Sequence, residues 1–184
     1  KAYPNGKSYG SIDIDNVKVE NKTSNFEICG EDKNILNVTF DNDLYPNDKI
    51  QISLNFYVKL PNINHRFGYG DNAVNICNFY PIVCVYDNDD FVTKLYNSNG
   101  DPFYSEVANY NVSIKYPSEY TIATSGEKIN EKSEDEKNII SVQAKCVRDF
   151  AIVLSNKFET KHSSYNNKVN INYYYYSDKT ADKT

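Results

Sequence analysis

The sequence lacks methionine altogether, and it also lacks a basic surface and a long apolar run. Its 184 residues carry 20 Lys and Arg against 25 Asp and Glu, and the lysines are scattered among acidic residues. Nucleic-acid binding needs a concentrated basic face, so the net charge of −5 argues against nucleic acid as a partner. No window approaches the roughly 18 apolar residues of a membrane-spanning helix, and no signal-peptide pattern follows Lys1. Because even an initiator methionine is absent, we expect a processed chain or a piece of a longer one.

Residues that bind metals are also scarce. The only histidines, His65 and His162, lie far apart, and neither begins the His-Glu-x-x-His pair that binds zinc in metallopeptidases. We therefore expect both in exposed loops. The cysteines are Cys29, Cys77, Cys84 and Cys146. They form no Cys-x-x-Cys pair, so zinc is not expected, and their apolar or strand-like neighbours predict small buried side chains. One disulfide would be compatible with an exported protein.

Aromatic residues are plentiful, with 17 Tyr and 9 Phe, and many of them occur in alternating runs. The clearest run is Ile50–Leu60, where apolar residues occupy the even positions and polar residues most of the odd ones. This period predicts a long strand with one buried and one wet face. Similar runs cover 104–116 and 140–146. Tyrosine suits such surfaces because it buries a large ring while keeping a polar tip.

Shorter apolar runs predict further strands. In Ile12–Glu20 the period slips at Asp15-Asn16, which predicts a bulge or a tight turn. The other predicted elements are short strands at 26–28, 36–40, 80–85, 120–123, 150–154 and 169–175, a loop at 68–71 and a charged hairpin arm at 128–138. No helical period exceeds about ten residues. The sequence therefore predicts an all-β, antiparallel β-sandwich in a single domain, residues 1–176, followed by a polar linker or tail, residues 177–184.

Four polar patterns superficially suit catalysis or ligand binding. Asp87–Asp90 and Asn97–Asp101 carry oxygen ligands that suit calcium, but both lack the downstream glutamate of an EF-hand, so surface turns are predicted. Ser125 lacks the surrounding Gly-x-Ser-x-Gly elbow of a nucleophile. Gly68-x-Gly70 lacks the third glycine of a dinucleotide-binding loop. The residues themselves therefore predict no catalytic centre and no cofactor site in this segment.

Several segments, in this order, resemble a known family. They are Asn78-Phe-Tyr-Pro81, Val85-Tyr-Asp87, Asp101-Pro-Phe-Tyr-Ser-Glu106, Tyr110-Asn-Val-Ser-Ile114 and Ala123-Thr-Ser-Gly-Glu127. Together they resemble the amino-terminal β-domain of aminopeptidase N-type (gluzincin) zinc metallopeptidases. Val147–Ala151 and Tyr173–Tyr176 resemble the end of that domain, so the resemblance covers most of the chain. It departs from the family at Tyr86-Asp87-Asn88, where an acidic pair followed by proline is common.

The resemblance implies a saddle-like, non-catalytic domain that flanks the peptidase domain of the same parent chain. Zinc and the peptide substrate would bind to the parent's peptidase domain, whose sequence motifs are absent here. Because the family's β-domain often begins with further strands, the resemblance also implies that this domain lacks its first strands. It places Tyr80, Tyr86, Asp87 and Phe91 near the substrate entrance or the interdomain surface, where Asp87 would attract the substrate's ammonium group.

One alternative from a different class stays open. A free-standing β-sandwich that serves as a binding or adhesion module would suit the tyrosines and the acidic surface equally well. A His-Glu-x-x-His motif and a later glutamate downstream of Thr184 would distinguish the aminopeptidase from this alternative.

Overall fold

The computed structural model describes Tyr3, residues 5–93 and residues 104–177. These residues form strands in six sheets, every strand pair is antiparallel, and none of them is helical. The predicted all-β antiparallel class is therefore confirmed, whereas the packing of two sheets into a sandwich stays a prediction. The described segments also contain no helix that could cross a membrane. The predicted turn at Asn97–Asp101, part of the Asp101–Glu106 motif and the tail after Ser177 lie outside the described residues.

In chain order the strands are β1 (Ser11–Val19), β2 (Lys22–Thr23), β3 (Phe26–Cys29), β4 (Ile35–Val38), β5 (Ile52–Lys59), β6 (Phe67–Tyr69), β7 (Val74–Ile76), β8 (Tyr86–Asp87), β9 (Asp90–Phe91), β10 (Ala108–Pro117), β11 (Thr121–Thr124), β12 (Glu127–Glu134), β13 (Lys137–Val147), β14 (Ile152–Ser155), β15 (Glu159–Tyr165) and β16 (Val169–Tyr175). The chain divides into two compact units. Unit 1 comprises Lys1–Tyr9, Pro61–Asn78 and Val107–Thr184, and unit 2 comprises Gly10–Leu60 and Phe79–Glu106. The single domain predicted over 1–176 stays a prediction.

Unit 2 contains the sheet β2-β1-β5 and the hairpins β3-β4 and β8-β9. The β1–β5 register shifts between Ile14 and Asn16, so Asp15 is a β-bulge and the predicted break in period is confirmed. On β5 the alternation is also confirmed, because Leu54, Phe56 and Val58 are half-buried while the residues between them are exposed. The buried apolar side chains of this unit are Val17, Val19 and Val85.

Unit 1 contains the sheets β10-β13-β12 and β11-β14-β7-β6 and the hairpin β15-β16. In the first sheet Val112 pairs with Val142 and Ile114 with Ile140, so the even positions of both strands share one face. The buried apolar side chains of the unit are Tyr116, Ile140, Val142, Ala144, Phe150 and Ile152. The one buried polar residue among those described is Ser155, whose hydroxyl donates to the Asn72 carbonyl oxygen at 2.5 Å.

The strand predicted at Tyr80–Val85 is wrong. No described strand pairs with these residues, and Val83 is 78% exposed. Pro81 has no backbone N–H to donate to a sheet, which disfavours pairing there. The loop predicted at Gly68–Asp71 is partly wrong as well, since Phe67–Tyr69 forms β6.

The cysteines and histidines also differ from the predictions. All four cysteines are free. Cys29, Cys77 and Cys84 are half-buried and Cys146 is exposed, so the prediction of small buried side chains is wrong. Cys146 ends the alternating part of β13 with a left-handed backbone, φ 55°. His65 lies exposed in a loop as predicted, but His162 lies on β15, exposed and paired with Asn172.

Candidate functional site

The candidate site is the hairpin formed by β8 and β9. Asn88 and Asp89 connect the strands, and both have left-handed backbones, with φ of 51° and 64°. Two consecutive residues of this kind form the type I′ turn that matches the twist of a two-residue hairpin. Val92 N–H donates to the Val85 carbonyl oxygen at 2.8 Å and closes the base. The predicted surface turn at Asp87–Asp90 is therefore confirmed.

Two aromatic rings pack against each other on this hairpin. Tyr86 and Phe91 are directly opposite in the register, and their rings meet edge to face with centroids 5.1 Å apart at 76°. Cross-strand aromatic pairs of this geometry stabilise a hairpin. Even so, Tyr86 is 61% and Phe91 53% exposed. Most of this apolar surface therefore stays accessible to another molecule.

Carboxylates surround the turn. Asp87, Asp89 and Asp90 are all exposed. Asp90 accepts a hydrogen bond from the backbone N–H of its neighbour Phe91 at 2.7 Å. The two salt bridges found among the described residues both lie on β12, so none neutralises these carboxylates. The hairpin tip therefore carries three exposed carboxylates beside an exposed aromatic pair.

Of the four residues predicted for the site, the structure places Tyr86, Asp87 and Phe91 together on the hairpin. Tyr80 precedes the hairpin in the same unit; it is half-buried, and its ring meets Phe79 edge to face at 5.1 Å. The hydrogen bond that Asp90 accepts from Phe91 could not be predicted from the sequence, because it is local geometry that no period reveals. The assignment of Tyr80, Tyr86, Asp87 and Phe91 to a substrate entrance or an interdomain surface stays a prediction.

Unit 2 also contains a groove of about 450 Å³ that the sequence did not reveal. Its apolar lining includes Val19, Phe40 and Leu44, and acidic residues such as Asp43 and Asp48 lie along it. Asp48 already accepts a hydrogen bond from the Tyr45 N–H at 2.9 Å, so this carboxylate helps to fix its own turn. At least one carboxylate of the groove, that of Asp48, therefore stabilises the groove's own loop.

Cys77, in unit 1, has the chemistry of a protected thiol. Burial raises its pKa, the Asp149 carboxylate raises it further, and Arg66 opposes both effects. Asp149 is fixed by hydrogen bonds from the Asn78 amide at 3.0 Å and from the Phe150 N–H at 2.7 Å. A nucleophilic cysteine needs a lowered pKa, so this environment is unsuited to nucleophilic catalysis.

Within the described ranges, no three His, Cys, Asp or Glu side chains come together as a group that could hold a metal ion. No family model matches the chain, and no curated protein or solved structure matches it.

Proposed function

We propose that this chain is the non-catalytic amino-terminal β-domain of a zinc-dependent aminopeptidase. In this role it flanks the peptidase domain of its parent chain and borders the substrate entrance. The order of the resembling segments supports the proposal, and so does the antiparallel strand structure of those that are described. The observation that carries it is the β8–β9 hairpin, which exposes the Tyr86–Phe91 pair beside Asp87.

The hairpin suits a position at the edge of a peptide-binding cleft. Interdomain and binding surfaces are rich in aromatic residues with a polar rim, which is the arrangement of Tyr86, Phe91 and the neighbouring aspartates. A carboxylate such as Asp87 attracts the amino-terminal ammonium group of a peptide, and because it is exposed the attraction weakens as salt increases. The hairpin would therefore guide the substrate while the reaction takes place elsewhere.

The zinc of such an enzyme would be bound by the peptidase domain, as the resemblance to the family implies. Zinc supplies an activated water molecule for hydrolysis when it is bound there. The proposed contribution of this chain is limited to packing, to shaping the entrance and to attracting the substrate's positive charge.

Kinetics of the full-length parent test the proposal. Asp87→Asn should raise KM roughly two- to fivefold at low salt and leave kcat unchanged, because it removes an attraction of at most about 1 kcal/mol. Asp135→Asn is the matched control, since Asp135 is an exposed aspartate in the two-residue β12–β13 turn with φ 48°. It should leave both constants unchanged. If Asp87→Asn and Tyr86→Ala both leave kcat/KM unchanged at unchanged stability, the hairpin has no part in the site.

The sequence that follows Thr184 in the gene tests the parent's identity. A His-Glu-x-x-His motif with a later glutamate would support a zinc aminopeptidase, and a stop codon or an unrelated domain would reject it. The second candidate, a free-standing binding module, is favoured by one feature of unit 1. The β15–β16 hairpin exposes Tyr165 by 64% and Tyr173 by 60%, which is a surface suited to binding.

A further inference from the structure

The outer edge of β5 is unpaired within the described part of the chain. The eight residues of β5 have β1 on one side and no strand of the described part of the chain on the other. Glu20 N–H donates to the Gln51 carbonyl oxygen at 2.9 Å, so the backbone groups of Gln51 point toward β1. Because these groups alternate in direction along a strand, those of Ile52, Leu54, Phe56 and Val58 point away from β1. No described residue forms a hydrogen bond with them.

Two other strands carry features that discourage further pairing at an edge. In the same sheet, β1 carries two aspartates, Asp13 and Asp15, and its pairing with β5 has a bulge at Asp15. The edge strand β12, with the sequence Glu-Lys-Ile-Asn-Glu-Lys-Ser-Glu, is charged and has a register shift between Lys128 and Asn130. Charges and bulges are the usual means by which proteins protect an exposed edge.

Nothing of this kind protects β5. Residues Ile52–Val58 contain no charge, proline or glycine, and their pairing with β1 shows no bulge on the β5 side. Four of the seven are β-branched or aromatic, the residue types that pair well in sheets. A regular, uncharged edge of this length is a template for another strand.

We propose that two copies of this chain associate through their β5 edges in an antiparallel pairing centred on Asn55. The outward backbone N–H and C=O groups of Ile52 then form hydrogen bonds with those of Val58 in the second copy. Those of Leu54 form hydrogen bonds with those of Phe56. On the exposed face Asn55 lies opposite its own copy and Ser53 lies opposite Tyr57. A two-fold axis relates the copies, so each contact occurs twice.

The strand is complementary to itself, which is why a second copy is the occupant. In this register the one charged residue of β5, Lys59, lies opposite the neutral Gln51, so no like charges meet. Of the even residues, Leu54, Phe56 and Val58 are half-buried and Ile52 is 41% exposed, and in both copies they continue one apolar face across the new junction. The pairing does not depend on the aminopeptidase proposal, because it uses the chain alone.

Sedimentation equilibrium of the purified chain tests the association. We expect a monomer–dimer equilibrium with a Kd between about 1 μM and 1 mM, as suits a small interface. Asn55→Lys should raise the Kd at least about fivefold, because it brings two like charges directly opposite each other. Asn37→Lys is the matched control, since Asn37 is an exposed strand asparagine of β4 in the same unit. It should leave the Kd unchanged, and mixing Asn55→Lys with Asn55→Glu should restore association.

Disulfide trapping tests the register in a Cys146→Ser background. Asn55 of each copy would occupy a non-hydrogen-bonded pair with Cα atoms about 4.5 Å apart, within the range that a disulfide spans. Asn55→Cys should therefore form a covalent dimer on mild oxidation. Ser53→Cys alone should not, but an equal mixture of Ser53→Cys and Tyr57→Cys should.

Three outcomes would overturn the proposal. They are a chain that stays monomeric up to about 1 mM, a dimer whose Kd is unaffected by Asn55→Lys, and Ser53→Cys crosslinking as readily as Asn55→Cys. A strand from another polypeptide that binds this edge while the chain itself stays monomeric would assign a different occupant and reject the two-fold dimer.

Discussion

At the scale of single residues, Cys77 and Cys146 should differ in reactivity. Burial and Asp149 raise the pKa of Cys77, so less of its reactive thiolate is present at a given pH, whereas Cys146 is exposed. Iodoacetamide at pH 7.5 should modify Cys146 at least several-fold faster, as measured by peptide mass spectrometry. The rate at Cys77 should continue to rise above the ordinary thiol pKa of about 8.5.

Denaturation provides the control for this experiment. In concentrated urea both thiols lose their surroundings, and their alkylation rates should converge. Equal rates in the native protein would contradict the protection of Cys77.

The raised pKa of Cys77 also affects the stability of the folded chain. The unfolded chain releases this proton at a lower pH than the folded chain, so the shift should lower the free energy of unfolding as pH rises above about 8.5.

The candidate site was partly predictable at this scale. Tyr86, Asp87 and Phe91 were named because they lie in a segment that resembles a known family. The contact between Tyr86 and Phe91 could not be predicted, because it depends on the left-handed backbones of Asn88 and Asp89. Neither residue is glycine, so the usual sequence signal for a type I′ turn is absent.

At the scale of elements, the turn between β11 and β12 depends on Gly126. Its φ is +82°, and a Cβ atom there would lie 2.5 Å from the Gln143 carbonyl oxygen and 2.8 Å from the Ala144 Cβ. Gly126→Ala should lower the free energy of unfolding by roughly 2–4 kcal/mol, through backbone strain together with this clash. Urea denaturation measures the change.

The Gly6→Ala variant separates the cost of backbone strain from the cost of the Cβ clash. Gly6 has φ +90°, but a Cβ there would meet nothing within 4 Å. The substitution should therefore cost only the backbone term, about 1–2 kcal/mol. If Gly126→Ala and Gly6→Ala lower the free energy of unfolding by the same amount, the clash of the new Cβ atom with β13 is unimportant.

Strands were predictable where one face is buried and the other wet. That pattern located β5, β10 and β13, and the slip in period located the bulge of β1. It failed for β15, whose sequence Glu-Thr-Lys-His-Ser-Ser-Tyr has no apolar alternation, because every one of its residues is exposed. It also failed at Tyr80–Val85, where a continuous apolar run suggested a strand although no described strand pairs with it.

At the scale of the whole molecule, the buried side chains are distributed unequally. Among the described residues, six of the nine buried apolar side chains lie in unit 1, on β10, β13, β14 and at Phe150, and three lie in unit 2. Backbone amides of β13 and β14 should therefore exchange with solvent at least about tenfold more slowly than those of β3 and β4, because local opening follows burial. Hydrogen-exchange mass spectrometry measures this, and equal protection in both units would refute it.

The interleaving of the two units has a consequence for synthesis on the ribosome. All of unit 2 has been translated by Glu106, and its strand pairs are then complete. In unit 1, by contrast, β7 pairs Ile76 with Ile152 of β14, which is translated about 75 residues later. At about 5–20 residues per second, β7 waits roughly 4–15 s for this partner. During that interval the edge of β7 that later pairs with β14 has no partner, and a chaperone that shields β6 and β7 would act on the chain at this stage.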